Sequence, residues 1–147
     1  MTDRKVQLGV GSLETMDGAR VAYLTEYLVG QGWLREQAAV ACADWVSGRR
    51  DKLAETSLPV LERGQRAWRK IARVLRSPTP EFLVSVVEHR TLMRRGGRWL
   101  LASEGRLNRL RIYALRFTSL AEALEVAREV VSGNTGMAAL PVPARDA

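Results

Sequence analysis

Between Pro59 and Arg76 the chain sorts its residues onto two sides of a helix more cleanly than anywhere else. At roughly 100° per residue, Val60, Leu61, Ala67, Trp68, Ile71, Val74 and Leu75 fall on one side. Arg63, Arg66, Arg69, Lys70, Arg73 and Arg76 fall on the other, with Glu62 the single acid among them. A helix so divided has to bury one face against another layer and leave the other to solvent. Solvated faces ordinarily mix signs, because like charges three or four positions apart repel. Six cations with one acid therefore point to a polyanionic partner. Ser57 is placed to cap this helix, and Pro59 suits its first turn.

The remaining charge tells the same story. Across 147 residues there are 23 Lys+Arg and 16 Asp+Glu, a net charge of +7. All but Lys5, Lys52 and Lys70 of the basic residues are arginine. From Arg63 to Arg116 there are 14 cations and three acids (Glu81, Glu88 and Glu104), so this stretch carries +11 and the remainder −4. Arginine's forked donors hold a phosphate or a guanine edge with two bonds at once, which suits nucleic acid. Trp99 and Tyr113, interleaved with the cations, are candidates for stacking on bases, and Trp99 beside Leu100 equally fits a core.

Several chemistries are excluded by count. With one cysteine (Cys42) and one histidine (His89), no intrachain disulfide forms and a Cys/His zinc site lacks ligands. Cys42 sits in the apolar run AAVACADWV and reads as a small buried thiol. His89 has no serine, cysteine or carboxylate in a triad relation to it. Asp44 with Asp51, and Glu122 with Glu125, read as solvated helix surface. A metal-dependent nuclease or phosphotransferase needs clustered carboxylates, which the basic segment lacks. The expectation is a protein without catalysis and without a cofactor. The length suits one compact domain that buries about two thirds of its unfolded surface. The N-terminus lacks a secretory leader pattern and no apolar run spans a bilayer, so the expected location is cytoplasmic.

The pattern along the chain predicts an α+β fold, with a helical N-terminal part followed by a small antiparallel β-sheet packed on a C-terminal helix. Residues 1–77 form the helical part, 78–133 the sheet-plus-helix unit and 134–147 a flexible tail. A short strand is expected at Val6–Val10. The glycines of LGVGS lack the spacing and lysine of a phosphate loop and read as a turn. Helical periods follow over about Asp17–Val29 and Trp33–Ser47, closed by Gly30/Gly32 and Gly48. That pair is compatible with a DNA-reading helix-turn-helix and with any helical hairpin. Ser77-Pro78-Thr79-Pro80 ends the cationic helix. A short helix over Pro80–Val87 is expected next, with a strand over Leu83–Arg90 as the alternative. Gly96-Gly97 reads as a hairpin turn and Glu104–Asn108 as a second turn. RLRIYALRF alternates as a strand, with Leu110 and Ile112 on one face and Arg109, Arg111 and Tyr113 on the other. Ser119 and Glu122 make a capping box for a last helix over about Leu120–Val131.

The stretches RRGGRW, RIYALRF and TSLAEALEVARE give residues 90–132 a resemblance to the AP2/integrase arm-type DNA-binding module. The resemblance implies a three-stranded antiparallel sheet with a packed helix, the sheet lying in the major groove. It nominates Arg94, Arg95, Arg98, Arg109 and Arg111 as DNA contacts, beside the helix cations Arg63, Arg66, Arg69, Lys70, Arg73 and Arg76. The expected function is non-catalytic nucleic-acid binding, with duplex DNA first and duplex RNA, as in a viral or plasmid-borne protein, second. The rival is an interaction subunit docking its cationic helix on an acidic protein or a membrane surface. The acidic N-terminal half also suits self-association as a homodimer.

Overall fold

The computed structural model describes residues 15–88, 98–102, 106–108, 110–133 and 137–145. Helix α1 (Met16–Gly30) begins where the Thr15 side chain accepts a hydrogen bond from the Gly18 amide at 2.9 Å. It stops at a turn in which Gly32 takes φ +100°, a conformation costly for any residue with a Cβ. Helix α2 (Arg35–Val46) ends the same way, at Gly48 with φ +84°. Helix α3 (Leu58–Leu75) carries Pro59 in its first turn. Ser57 does not cap it: its side chain makes no cap bond, and it is buried at the end of a 3-10 turn, Glu55–Ser57.

One side chain ties the three helices together. Gln65 Oε1 on α3 accepts hydrogen bonds from Arg20 Nε on α1 at 2.9 Å and from Trp45 Nε1 on α2 at 3.2 Å. Two donors on one amide oxygen satisfy partly buried polar groups that would otherwise cost stability. Gly64 lets α1 and α3 approach closely, since a Cβ there would lie 3.0 Å from both Leu24 and Tyr27. Tyr23 and Trp68 pack across the same crossing with ring centroids 5.7 Å apart.

After Pro78 and Pro80 the chain becomes β1 (Phe82–Glu88), the strand rather than the short helix expected over Pro80–Val87. Valines at 84, 86 and 87 favour the pleated backbone, and Phe82, Val84 and Val86 alternate into the core. Strand β2 (Arg98–Leu101), β3 (Leu107–Asn108) and β4 (Met137–Pro143) complete an antiparallel sheet in the order β3-β2-β1-β4.

The segment from 134 onward is not simply a flexible tail: β4 pairs with β1 over seven positions, from Phe82↔Pro143 to Glu88↔Met137. Its alternation of Ala139, Pro141 and Pro143 toward the core is the signal that the prolines conceal. Both prolines fit because β4 is an edge strand, and residues two apart direct their nitrogens to the same outer side. RLRIYALRF does not form the expected strand. Arg111–Tyr113 is a 3-10 turn, and among the described residues the segment forms no ladder with the sheet, meeting it through the Ala102↔Ala114 and Phe82↔Phe117 bridges and the Leu115 amide, which donates to the Leu101 carbonyl. Asn108 starts the departure by accepting the Leu110 amide on its own side chain at 2.8 Å, a local bond that competes with the ladder. Phe117 then rejoins β1, exchanging two hydrogen bonds of 2.7 and 2.8 Å with Phe82. The strand expected at Val6–Val10 lies outside the described residues.

Helix α4 (Leu120–Gly133) follows, with the Glu122 amide donating to Ser119 Oγ at 3.2 Å. Its Leu120, Ala123, Leu124 and Ala127 join residues of α1, α2, α3 and the sheet in one hydrophobic core. Glu26 of α1 pins the layers from inside: 7% exposed, it pairs with Arg35 of α2 and lies 3.8 Å from Arg128 of α4. No described helix is long and apolar enough to cross a membrane.

Candidate nucleic-acid interface

The apolar side of α3 is used up by the core, where Val60, Leu61, Trp68, Ile71 and Ala72 are buried. That fixes the helix's rotation, and all six nominated cations, Arg63, Arg66, Arg69, Lys70, Arg73 and Arg76, are exposed as a result. Among the described residues no ion pair involves any of them. From Arg63 to Arg76 the face runs about 20 Å at 1.5 Å per residue.

Other arginines have been drawn into the scaffold. Arg35 and Arg128 serve Glu26, Arg49 pairs with Asp44 at 3.1 Å, and Arg116 pairs with Glu81 at 2.9 Å. Arg20 serves Gln65, and Arg50 lies 4.0 Å over the Trp45 ring as a cation–π partner. Sequence counts these residues as charge. The fold divides them into cations engaged within the scaffold and cations that meet no described acid.

Of the residues nominated through the hairpin, Arg94, Arg95 and Arg109 lie outside the described residues. Arg98 begins β2 with its backbone opposite Val87, and its side chain is not among those described. Arg111 is half-buried and donates to the carbonyls of Ala144 at 3.3 Å and Arg145 at 2.8 Å, so it clamps the end of β4. Lys70 and Arg111 border the same groove of about 710 Å³ between α1, α3 and the sheet, lined also by Tyr27, Ser85, Trp99 and Leu140. The groove links one edge of the α3 stripe to the 3-10 turn. Glu26 on its wall is already paired with arginine.

Three exposed apolar residues were not legible as such: Leu110, Ile112 and Leu115 face solvent beside Tyr113. A strand reading turns Leu110 and Ile112 inward together, and only the 3-10 turn turns them out. Helix α2 does not fit a reading helix. Its exposed positions are Leu34, Glu36, Gln37 and Val40, and its one basic residue is taken by Glu26. Burial pushes the Cys42 thiol up to about 12, which keeps it protonated and unreactive. Among the described residues no group of three His, Cys, Asp or Glu side chains is placed to hold a metal.

What fold and site define together is an α+β chain with an exposed cationic helix face that has no ion-pair partner among the described residues. Comparison with family models, with curated proteins and with solved structures gives no match.

Proposed function

We propose that this chain is a non-catalytic nucleic-acid-binding protein that lays the α3 face along a duplex, DNA first. The observation that carries the reading is the set of six exposed cations without an ion-pair partner among the described residues, held on a helix whose opposite side is locked in the core. A face about 20 Å long passes roughly six phosphates of one strand when aligned with a duplex axis, at 3.4 Å per phosphate. The rigid helix sets the spacing of the cations before binding, so that only their side chains remain to be ordered on the phosphates.

The burial of α3's apolar side argues against the membrane rival in its usual form. A helix lying in a bilayer interface has to place its apolar face in lipid, and here that face holds the fold together. The groove from Lys70 to Arg111 gives the cationic surface a continuation toward the sheet. The experiment is a gel-shift panel of duplex DNA, duplex RNA, single strands and anionic vesicles at two salt concentrations. Duplex binding that weakens steeply with salt supports the reading. A flat salt response, or no duplex binding at low salt, removes it.

A further inference from the structure

On the far side of that groove the chain presents an apolar tip with no core to cover. Leu110 is 56% exposed, Ile112 76% and Tyr113 56%, all within one 3-10 turn and its N-cap. Hydrogen bonds before, within and after the turn hold it in place. Asn108 caps the Leu110 amide, Arg111 is tied to the carbonyls of Ala144 and Arg145, and the Leu115 amide donates to Leu101 at 2.9 Å. Single exposed apolar residues are ordinary, but consecutive large ones on a pinned turn mark a contact surface.

The charge around the tip selects its occupant. From Arg106 to Phe117 the sequence holds four arginines and no carboxylate, and although Arg116 pairs with Glu81 and Arg111 is tied to backbone carbonyls, the surroundings of the tip keep a net positive charge. A second copy docking tip to tip would bring two such segments together, which like charge opposes. An acidic surface with an apolar interior is what complements arginine flanking isoleucine and tyrosine. Duplex DNA offers that combination, with phosphates outside and stacked bases within. Minor-groove proteins use it by driving apolar wedges between base steps beside arginines that hold the backbone.

Resting on the duplex-binding reading above, we infer that Ile112 and Tyr113 form such a wedge, entering a base step and kinking the duplex while the α3 face holds its phosphates. The turn's anchoring suits this role, because a wedge that is already rigid spends no binding energy on being ordered. The kink also curves the duplex around the protein, so that one molecule engages both surfaces bordering the groove.

The test uses an end-labelled duplex of about 30 base pairs, with binding read by anisotropy and bending by energy transfer between the ends. The wild-type chain is expected to bend the duplex by about 20–90°. The I112A/Y113A variant is expected to lose the bend while binding at low salt weakens by less than about tenfold, since the electrostatic contacts remain. Both substituted side chains face solvent, so an unchanged melting temperature accompanies the result. Wild-type binding without bending, or an unaltered bend in the variant, overturns the wedge and leaves duplex binding standing. Absence of duplex binding by the wild type overturns both. Binding to phosphatidylserine vesicles that I112A/Y113A abolishes, with the duplex bend intact, assigns the tip to lipid and overturns the wedge.

Discussion

Reversing the charge of Arg66, Arg69 and Arg73 to glutamate separates what α3 contributes to binding from what it contributes to folding. With Glu62, the six cations give the face a charge of +5, and three reversals take it to −1. If the wild-type face neutralises about five phosphates, the slope of log affinity against log salt is about −4.5, or a roughly 500-fold loss between about 50 and 200 mM salt. Removing three of those contacts flattens the slope by about 2.7, and the new repulsion lowers affinity at every salt concentration. The fold is expected to survive, because all three side chains are exposed and outside any described ion pair. Exposed substitutions usually shift stability by about 0.5 kcal/mol or less each. The carboxylate introduced at position 66 also gains Lys70 one turn on, which offsets part of its repulsion with Glu62. Anisotropy titrations at several salt concentrations, with a thermal melt of each protein, make the measurement. A triple variant that melts normally and binds with the wild-type slope would refute the role of the stripe and reduce it to a solvated face.

Trp68→Ala should do the reverse, leaving every stripe charge in place while opening a cavity against Tyr23, at a cost of about 3–5 kcal/mol in a denaturant titration. Glu26→Ala leaves Arg35 and Arg128 facing each other without their shared carboxylate; because both arginines reach solvent, the expected loss is about 1–3 kcal/mol rather than the full cost of a dry pair. Cys42 should resist thiol reagents in the native protein and react on unfolding. Its raised pKa favours the neutral thiol in the fold, so it leaves stability untouched below the ordinary value of 9.0, and stability falls as pH climbs from there toward about 12, where the unfolded chain ionises first. Buried Tyr23, also pushed up, adds to the alkaline loss in both wild type and Cys42→Ala, so the difference between their pH profiles isolates the thiol.

The sequence by itself determined the helices, because a helix is a local structure whose signals sit within one turn. The period of α3, the glycine stops after α1 and α2, and the Ser119–Glu122 cap of α4 all lie within a few residues of the elements they define. It also determined that the six cations of α3 share a face, since that follows from spacing alone. The sheet was less legible, because a strand's partners are remote. Nothing near Met137 announces that it will pair with Glu88, and the prolines of β4 are tolerable only because tertiary position makes it an edge. The turn at Arg111–Tyr113 belongs to the same class. Its residues alternate like a strand, and the Asn108 side chain together with the return of Phe117 to β1 overrides that pattern. Tertiary structure likewise decided which arginines remain for a partner, because a guanidinium is free or spent according to what the fold brings beside it. Glu26 draws in Arg35 from nine residues away and approaches Arg128 from the far end of the chain, while the α3 stripe, turned outward by its buried opposite face, meets no described acid.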